Sequence, residues 1–469
     1  MKLVMFTINP LFPDQVMGGA QKHLKHIAIH LGELGHDVIV LCTQRADSID
    51  PFQWHERVEV KPTFRFKQPF PGPYDTPAYN LAAAVQDMAE HLAQADRFYM
   101  HDGEYLFPFV YRHIPTVVSL RDNVYPETML GSFLSHGDAL IAISEYSRQF
   151  YLHTAGRFFP ELKERAIVIH NGIDWERFKP TVPNEILNYV DVDPQRHRIL
   201  LHPHRPEPSK GLQQTLDVVD LLVHQHGISN LKALIPQWLD VGISADLRAY
   251  YDDIRHQLAE RNLTDHVVLH GWIPQNLMPQ LYSLGDVMVS LGHFVESFGN
   301  TVYESLGCGT PAIAARISTH RELLPDDLLD KVHFDDADRA AAIAAEIIRT
   351  KRRTSPETMS YLHQYYGIER QLKAYADAIL HTPPKGPMTY QFAPLDDRTR
   401  YRLSPWCYEW EGGFYHDFRA NHTAIPALSS LIRAHPDGFT IANADDAKVP
   451  HEHFDRWYRQ GYIAPAMDL

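Results

Sequence analysis

The sequence predicts an α/β protein built from two successive doubly wound parallel-sheet domains and a smaller C-terminal extension. Three observations carry this expectation. Short apolar runs alternate with helix-length amphipathic segments from Lys2 to about His170, the signature of a parallel sheet covered on both faces. The alternation lapses over Lys179–Arg198, where Pro180, Pro183 and Pro194 mark a linker, and then restarts. Thr382–Pro387 (TPPKGP) breaks the chain again, and the composition beyond it turns aromatic.

In chain order, Lys2–Thr7 reads as an apolar strand and its loop ends in Gly18-Gly19. Ala20, Leu24, Ile27, Leu31 and Leu34 recur every three or four residues, which predicts an amphipathic helix. Gly35 stops it, and Asp37–Cys42 is the next strand. Phe98–His101, Thr116–Leu120, Ala139–Ser144 and Ile167–His170 continue the series. The second domain shows Ile199–His202, Leu231–Ile235, Val267–His270, Val287–Ser290 and Pro311–Ala314, then a mostly helical Arg339–Leu380. The expected domains are 1–180 and 195–365, with a crevice between them, since ligands of such sheets bind at carboxyl ends of strands and at domain interfaces. In the tail, 388–469, the cluster Trp406, Tyr408, Trp410, Phe414 and Tyr415 reads as its own core or docking surface. Helical stretches over Ala427–Ile463, turning at Pro436-Asp437-Gly438, fit a small helical or winged-helix module for partner or substrate binding.

Composition excludes several classes. The 469 residues carry 44 Lys+Arg against 58 Asp+Glu, a net charge of −14, which argues against nucleic acid or an anionic membrane as partner. Leu3–Phe6 is interrupted by Asn9-Pro10, so no signal peptide is read, and no run approaches the ~18 apolar residues of a spanning helix. The three cysteines, Cys42, Cys308 and Cys407, form no CxxC pair, against a disulfide framework or cysteine-rich zinc site. A reducing, cytoplasmic setting without a transmembrane segment is expected.

Two segments carry chemistry. In Glu296–Pro311 (ESFGNTVYESLGCGTP), Ser297-Phe298-Gly299-Asn300 reads as a loop opening a helix. The N–H groups of a helix start, with Gly299 permitting close approach, suit a phosphate. Glu296 and Glu304, eight positions apart, are two fixed carboxylates suited to polyol hydroxyls. The second segment, His202–Gly211 (HPHRPEPSKG), follows the first strand of the second domain. There Arg205 and Lys210 bracket a proline-stiffened turn and can hold a diphosphate, Arg by its planar fork and Lys as a point charge. Each segment alone is also compatible with solvated surface charges.

Together these segments resemble the retaining glycosyltransferases of family 4, which have the GT-B fold, two Rossmann-like domains facing a cleft. The Glu-x7-Glu and Arg-x4-Lys spacings match, as do Gly18-Gly19, Ile141–Phe150 (IAISEYSRQF) and Val168–Pro180 (VIHNGIDWERFKP), in the family's order over about residues 1–380. The resemblance implies that Arg205 and Lys210 hold the diphosphate of a nucleotide-sugar donor and stabilise the leaving group. It implies that Glu296 binds the donor sugar, amides around Phe298, Gly299 and Asn300 lie near sugar and phosphates, and Glu304 binds the ribose. Gly18 and Gly19 would approach the diphosphate, and His101 would face the donor sugar. It further implies a helical segment 366–381 packing back on the first domain, and transfer with no metal or other cofactor. One departure stands out. Many relatives carry His-Asp or His-Thr after the next strand, whereas Arg121-Asp122-Asn123 follows VVSL here, which assigns Arg121 and Asp122 to the acceptor side and suits an anionic acceptor. The acceptor itself is expected to be read by first-domain loops such as Pro62–Thr76.

Other signals carry less. Gly307-Cys308-Gly309 ends a helix instead of joining strand to helix, Asp191-Val192-Asp193 falls in the linker, and His451-Glu452-His453 has no third ligand nearby. Alternative readings are another GT-B activity, an epimerase or a phosphorylase, and a non-catalytic nucleotide-sugar-binding scaffold.

Overall fold

The first strand, β1 (Lys2–Pro10), is buried from Leu3 to Ile8, as a central strand covered on both faces must be. The computed structural model describes residues 1–13, 18–45, 47–66, 75–103, 105, 107–205, 207–237 and 245–467. Most of the loop Pro62–Thr76, and Pro206 of the second motif, lie outside these residues. Two units result, Met1–Asn171 with Arg370–Leu469, and Gly172–Glu369.

Unit 1 continues through α1 (Gly19–Glu33), β2 (Asp37–Thr43), β3 (Phe52–His55), β4 (Val58–Phe64), α2 (Ala78–Leu92), β5 (Arg97–His101), α3 (Pro108–Tyr111), β6 (Thr116–Leu120), α4 (Pro126–Leu134), β7 (Ala139–Ala142), α5 (Glu145–Thr154), α6 (Leu162–Arg165) and β8 (Ala166–Val168). The sheet order is β3-β4-β2-β1-β5-β6-β7-β8, parallel except for the antiparallel β3–β4 pair. Strand order reverses at β1, so the loops after β1 and β5 flank the switch point where ligands of such sheets bind. The β3–β4 hairpin escapes the sequence reading because β4 alternates buried and half-buried residues near the sheet edge and contains Pro62, so no continuous apolar run marks it.

Unit 2 contains β9 (Arg198–Leu201), α7 (Leu212–Asp220), β10 (Leu231–Pro236), α8 (Ala245–Glu260), β11 (Val267–His270), α9 (Met278–Leu284), β12 (Val287–Ser290), α10 (Asn300–Gly307), β13 (Ala312–Ala315), β14 (Asp330–Val332), α11 (Ala337–Thr350) and α12 (Pro356–Tyr365). Its sheet is parallel, in the order β11-β10-β9-β12-β13-β14. The reversal here lies between β9 and β12, so the two charged motifs follow the two strands that flank it.

The boundary between units falls at Asn171/Gly172, ahead of the proline-rich linker read from the sequence. Packing explains this. Ile173 N–H donates to Tyr366 O at 2.8 Å, and Trp175 stacks on His363 with planes 6° apart. The Trp175 ring also fills the space beside Gly307, where a Cβ would lie 2.5 Å from it.

The chain returns to unit 1 through α13 (Ile368–His381), whose Tyr375, Ala376 and Ile379 share a core with Leu24, Ile27 and Leu31 of α1. The breaker-rich stretch after it is anchored: Arg97 donates to Thr382 O at 2.5 Å and Arg165 to Gly386 O at 2.7 Å. Then follow β15 (Tyr401–Leu403), β16 (Cys407–Trp410), β17 (Gly413–His416), β18 (Asn421–Thr423), α14 (Pro426–Ala434), α15 (Ile441–Asp446), α16 (His451–Arg459) and β19 (Ile463–Pro465). β16, β17 and β18 form an antiparallel meander, and β15 pairs with β19. Tyr401, Phe414, Leu428, Phe454 and Trp457 build a core belonging to this module. The module is mixed in structure, and its short strands lie in the aromatic stretch that showed no period. It docks on α5 and the turn that follows it: Tyr146 Oη donates to Asp417 at 2.8 Å, Phe150 packs against Trp406 and Phe418, and Arg157 of the turn donates to Tyr458 Oη at 2.9 Å. Among the described residues no helix is long and apolar enough to cross a membrane.

Removing the Tyr146 hydroxyl leaves the buried Asp417 short of a donor, at a cost of about 1–3 kcal/mol. Tyr146→Phe is therefore expected to raise hydrogen exchange and protease sensitivity across 400–465 while the sheet of unit 2 keeps wild-type protection.

Candidate active site

In unit 2 two loops are pressed together at the sheet's switch point. After β9 the chain runs through a short turn, Pro208–Lys210, to Gly211, whose φ of +84° is left-handed. A Cβ on Gly211 would collide with the backbone of Gly292 in the loop after β12, and one on Gly292 with the backbone of Ser209 and Lys210. Only glycine at both positions permits this approach. Phe294 N–H donates to Ser209 O at 3.0 Å and closes the seam.

The seam fixes the charges. Lys210 Nζ lies 2.6 Å from Glu296 Oε1 and 3.5 Å from the centre of the Phe294 ring, with only 10% of its side chain exposed. Burial pushes the Glu296 carboxyl up, but the Lys210 charge and hydrogen bond win and hold it below its ordinary range. Arg205 is more open, paired with Glu207 at 3.1 Å, and its charge also stabilises ionised Glu296. Gly299, the residue before α10, lies in the left-handed region at φ +81° and, as a glycine, brings no side chain to cap the helix. Its first amides and its positive dipole end are thus suited to an anion. The Phe298 ring packs against Tyr303 and Tyr366, so this residue can offer a ligand only its backbone. Glu304 is buried one turn into α10 and accepts the Tyr282 hydroxyl at 3.1 Å. The structure thus brings Arg205, Lys210, Glu296, Phe298, Gly299, Asn300 and Glu304 together on the loops and helix of one switch point. Lys210 and Glu296 touch.

Sequence reasoning passed over His204 and His320 beside this cluster; both are buried, His320 on the turn after β13. Histidines at strand ends were the available signal.

In unit 1, Gly18 and Gly19 start α1, and among the described residues a Cβ on Gly18 would meet nothing within 4 Å. His101, at the end of β5, is 1% exposed, with Nδ1 2.6 Å from Tyr99 Oη and Nε2 2.8 Å from Ala20 O. Both nitrogens of the ring expected to face a donor sugar are engaged, and Nε2 ties it to the start of α1. Arg121 turns inward as well. It is 6% exposed and donates to Tyr375 Oη at 2.9 Å and to Asn171 Oδ1, binding α13 to the sheet; the guanidinium assigned to an acceptor serves the fold of unit 1. Asp122 accepts from the amides of Val124 and Tyr125 and from Thr128 Oγ1, which shapes the turn into α4.

A second carboxyl, at the end of β5, is Asp102, which has φ +60° and receives Asn9 Nδ2 at 3.4 Å. Burial, then the Asp122 charge, push it up to about 7, against the pull of Arg121. Burial likewise pushes Glu127, packed against Gly103, up to about 8. A carboxyl raised on folding stabilises the fold most below its unfolded pKa, and that contribution is lost as pH rises toward the folded value. For Asp102 the window runs from about 4 to about 7. Asp102→Asn should therefore gain thermal stability relative to wild type as pH rises from 5 to 8, by a few degrees in Tm. Equal Tm differences at both pH values would refute the assignment.

Comparison with known proteins bears on this geometry. The family described as "Glycosyltransferase Family 4" matches residues 17–177, and "Glycosyl transferases group 1" matches residues 191–365. The chain is 24% identical over 352 residues to the phosphatidyl-myo-inositol mannosyltransferase of Mycolicibacterium smegmatis, covering 71% of this chain and 82% of that one. It is 28% identical over 237 residues to O-antigen chain mannosyltransferase B of Escherichia coli, covering 49% and 56%. The match thus spans little more than half the length of some curated relatives. Among solved structures, Anabaena HepE in complex with UDP aligns with a TM-score of 0.62 at 20% identity, over 81% of this chain and 100% of HepE.

Proposed function

Because this chain is a glycosyltransferase of family 4 with the GT-B fold, we propose that it moves a sugar from a nucleoside diphosphate sugar to an acceptor hydroxyl, with retention at the anomeric carbon. The observation that carries this reading is the Lys210–Glu296 pair, 2.6 Å apart beside the glycine-led start of α10. A cation and oriented amides meet the charge that develops on the diphosphate as the glycosidic bond breaks. A carboxylate on the same spot can hold sugar hydroxyls. That HepE was solved with UDP and with UDP-glucose supports a donor of this class.

In the proposed step the donor's anomeric C–O bond breaks toward the diphosphate, and the acceptor oxygen bonds to the same face of the sugar. The acceptor proton passes to the departing diphosphate oxygen. Lys210 and the α10 amides lower the basicity of that oxygen, and Glu296 steadies the sugar as it gains positive charge. Lys210 and Arg205 supply the neutralising charge, so we propose transfer without a divalent metal. A chelator should leave the rate within about twofold; abolition by chelator with recovery on magnesium or manganese would overturn this mechanism.

The two glutamates differ in what they hold. The sugar changes charge on the way to the transition state and the ribose does not, so only an interaction with the sugar raises turnover. Glu296→Gln is expected to lower kcat, and Glu304→Gln to raise the donor KM, each roughly ten- to a hundredfold, as charged hydrogen bonds of ~1.5–3 kcal/mol imply. Steady-state kinetics with both substrates varied reads the split, and wild-type values in both variants would remove the donor-site assignment. The C-terminal module is proposed to serve the acceptor or a partner, since all donor motifs precede it. The three free, buried cysteines fit a reducing, cytoplasmic setting.

A further inference from the structure

Beside Lys210 lies a small cavity of about 10 Å³ whose walls include Ser209, Lys210, Phe294, Glu296, Ile317 and His320. That is room for one water-sized group, such as a single phosphate oxygen. His320 is 2% exposed, and its Nε2 has no hydrogen-bond partner among the described residues. Its Nδ1 lies 3.4 Å from Tyr303 Oη. The ring abuts the residue that opens α10: a Cβ on Gly299 would lie 2.5 Å from His320 Cε1 and 2.9 Å from Nε2. His204, on the loop after β9, packs edge-on against His202 at 4.9 Å, and its Nε2 is likewise without a partner among the described residues. A buried imidazole nitrogen with nothing to bond costs free energy that a bound polar atom would restore.

We propose that His320, supported by His204, recognises the donor diphosphate: its Nε2 hydrogen-bonds a diphosphate oxygen at the start of α10, and the ring takes up a proton from solvent when that anion binds. The inference rests on the donor-site reading above and names a specificity residue within it. A neutral imidazole there costs less to bury than a third cation beside Lys210 and Arg205, and it becomes cationic only when the anion's charge is present.

The electrostatics agree with this geometry. His320 faces Glu296 from the loop before α10, Tyr303 from α10, Lys210 and His204 from the loop after β9, and Lys331 from β14. Burial lowers it to about 4, against the pull of Glu296 and with the push of Lys331 and Lys210. Burial and then Lys210 lower His204 to about 3. Both rings are neutral at pH 7 in the free protein, and an adjacent anion raises their pKa. Binding and protonation are then linked, so the donor binds more tightly as pH falls through the window between about 4 and the raised value.

The test is calorimetric titration of the full chain with UDP-glucose and with GDP-mannose, whose diphosphates are esterified at both ends and do not titrate near neutrality. Buffers of different ionisation heat at pH 6 count the protons taken up. Wild type should take up a substantial fraction of one proton and bind about tenfold more tightly at pH 5.5 than at pH 7.5. Two substitutions separate recognition from packing. His320→Gln, which keeps an amide donor near the Nε2 position, should hold most of the affinity at pH 7.5 and lose the proton uptake. His320→Asn should lose both, with binding about five- to tenfold weaker. Absence of net proton uptake by wild type, or uptake unchanged in His320→Gln, overturns the inference while leaving the donor site standing. Failure of wild type to bind any nucleoside diphosphate sugar overturns both.

Discussion

An ammonium group held out of water beside a carboxylate is the constraint on which unit 2 depends. Lys210 has lost most of its hydration, and charges removed from water are tolerated only with a well-placed partner. Glu296 at 2.6 Å supplies the charge, and the face of Phe294 at 3.5 Å adds a second, softer attraction. Neither would be in reach unless the loops after β9 and β12 met backbone to backbone, which Gly211 and Gly292 alone allow. The strand order then places that seam where the sheet opens to a ligand. Two glycines, one lysine and one glutamate thus form a single device, and the loss of any member strands the others.

Unit 1 uses polar burial for a different end. Ser119, Arg121 and Asn171 form hydrogen bonds that reach Tyr375 of α13, and the ring of Tyr99, bonded to His101, packs edge-on against Tyr375. His23 of α1 reaches α13 too, 3.0 Å from Gln371. Apolar packing alone would let α13 slide along the sheet, because dispersion is not directional. The hydrogen bonds fix its register, and they do so with residues whose position at strand ends suggests ligand contact. The C-terminal module follows the same logic: its core is its own, while its seat on α5 is set by the buried Tyr146–Asp417 bond and the aromatic edges around Phe150.

Much of this was legible in the chain. Continuous apolar runs announced the central strands because both faces of those strands are covered. The β3–β4 hairpin and the module's short strands lacked that mark, being half-buried or set among aromatics without a period. That Arg205, Lys210, Glu296 and Glu304 lie on neighbouring loops and a helix was legible because they sit at fixed spacings within two short segments, and local spacing survives folding. The internal bonds of His101 and Arg121 were not, because they depend on distant segments: His101 meets the start of α1, and Arg121 meets α13, which arrives more than 250 residues later.

By itself, then, the sequence determined the number and order of the α/β units, the positions of their breaks in pattern, and which loops hold charge beside glycine. These properties follow from local periodicity and from steric rules that act over a few residues. Only the tertiary structure decided which charges meet, that Trp175 and its neighbours belong to unit 2, and that Arg121 and His101 are spent on internal bonds. It also decided that His320 comes to rest beneath Gly299 with a nitrogen left over. Those outcomes rest on contacts between distant parts of the chain, where a shift of an ångström decides whether a polar atom finds a partner or awaits one.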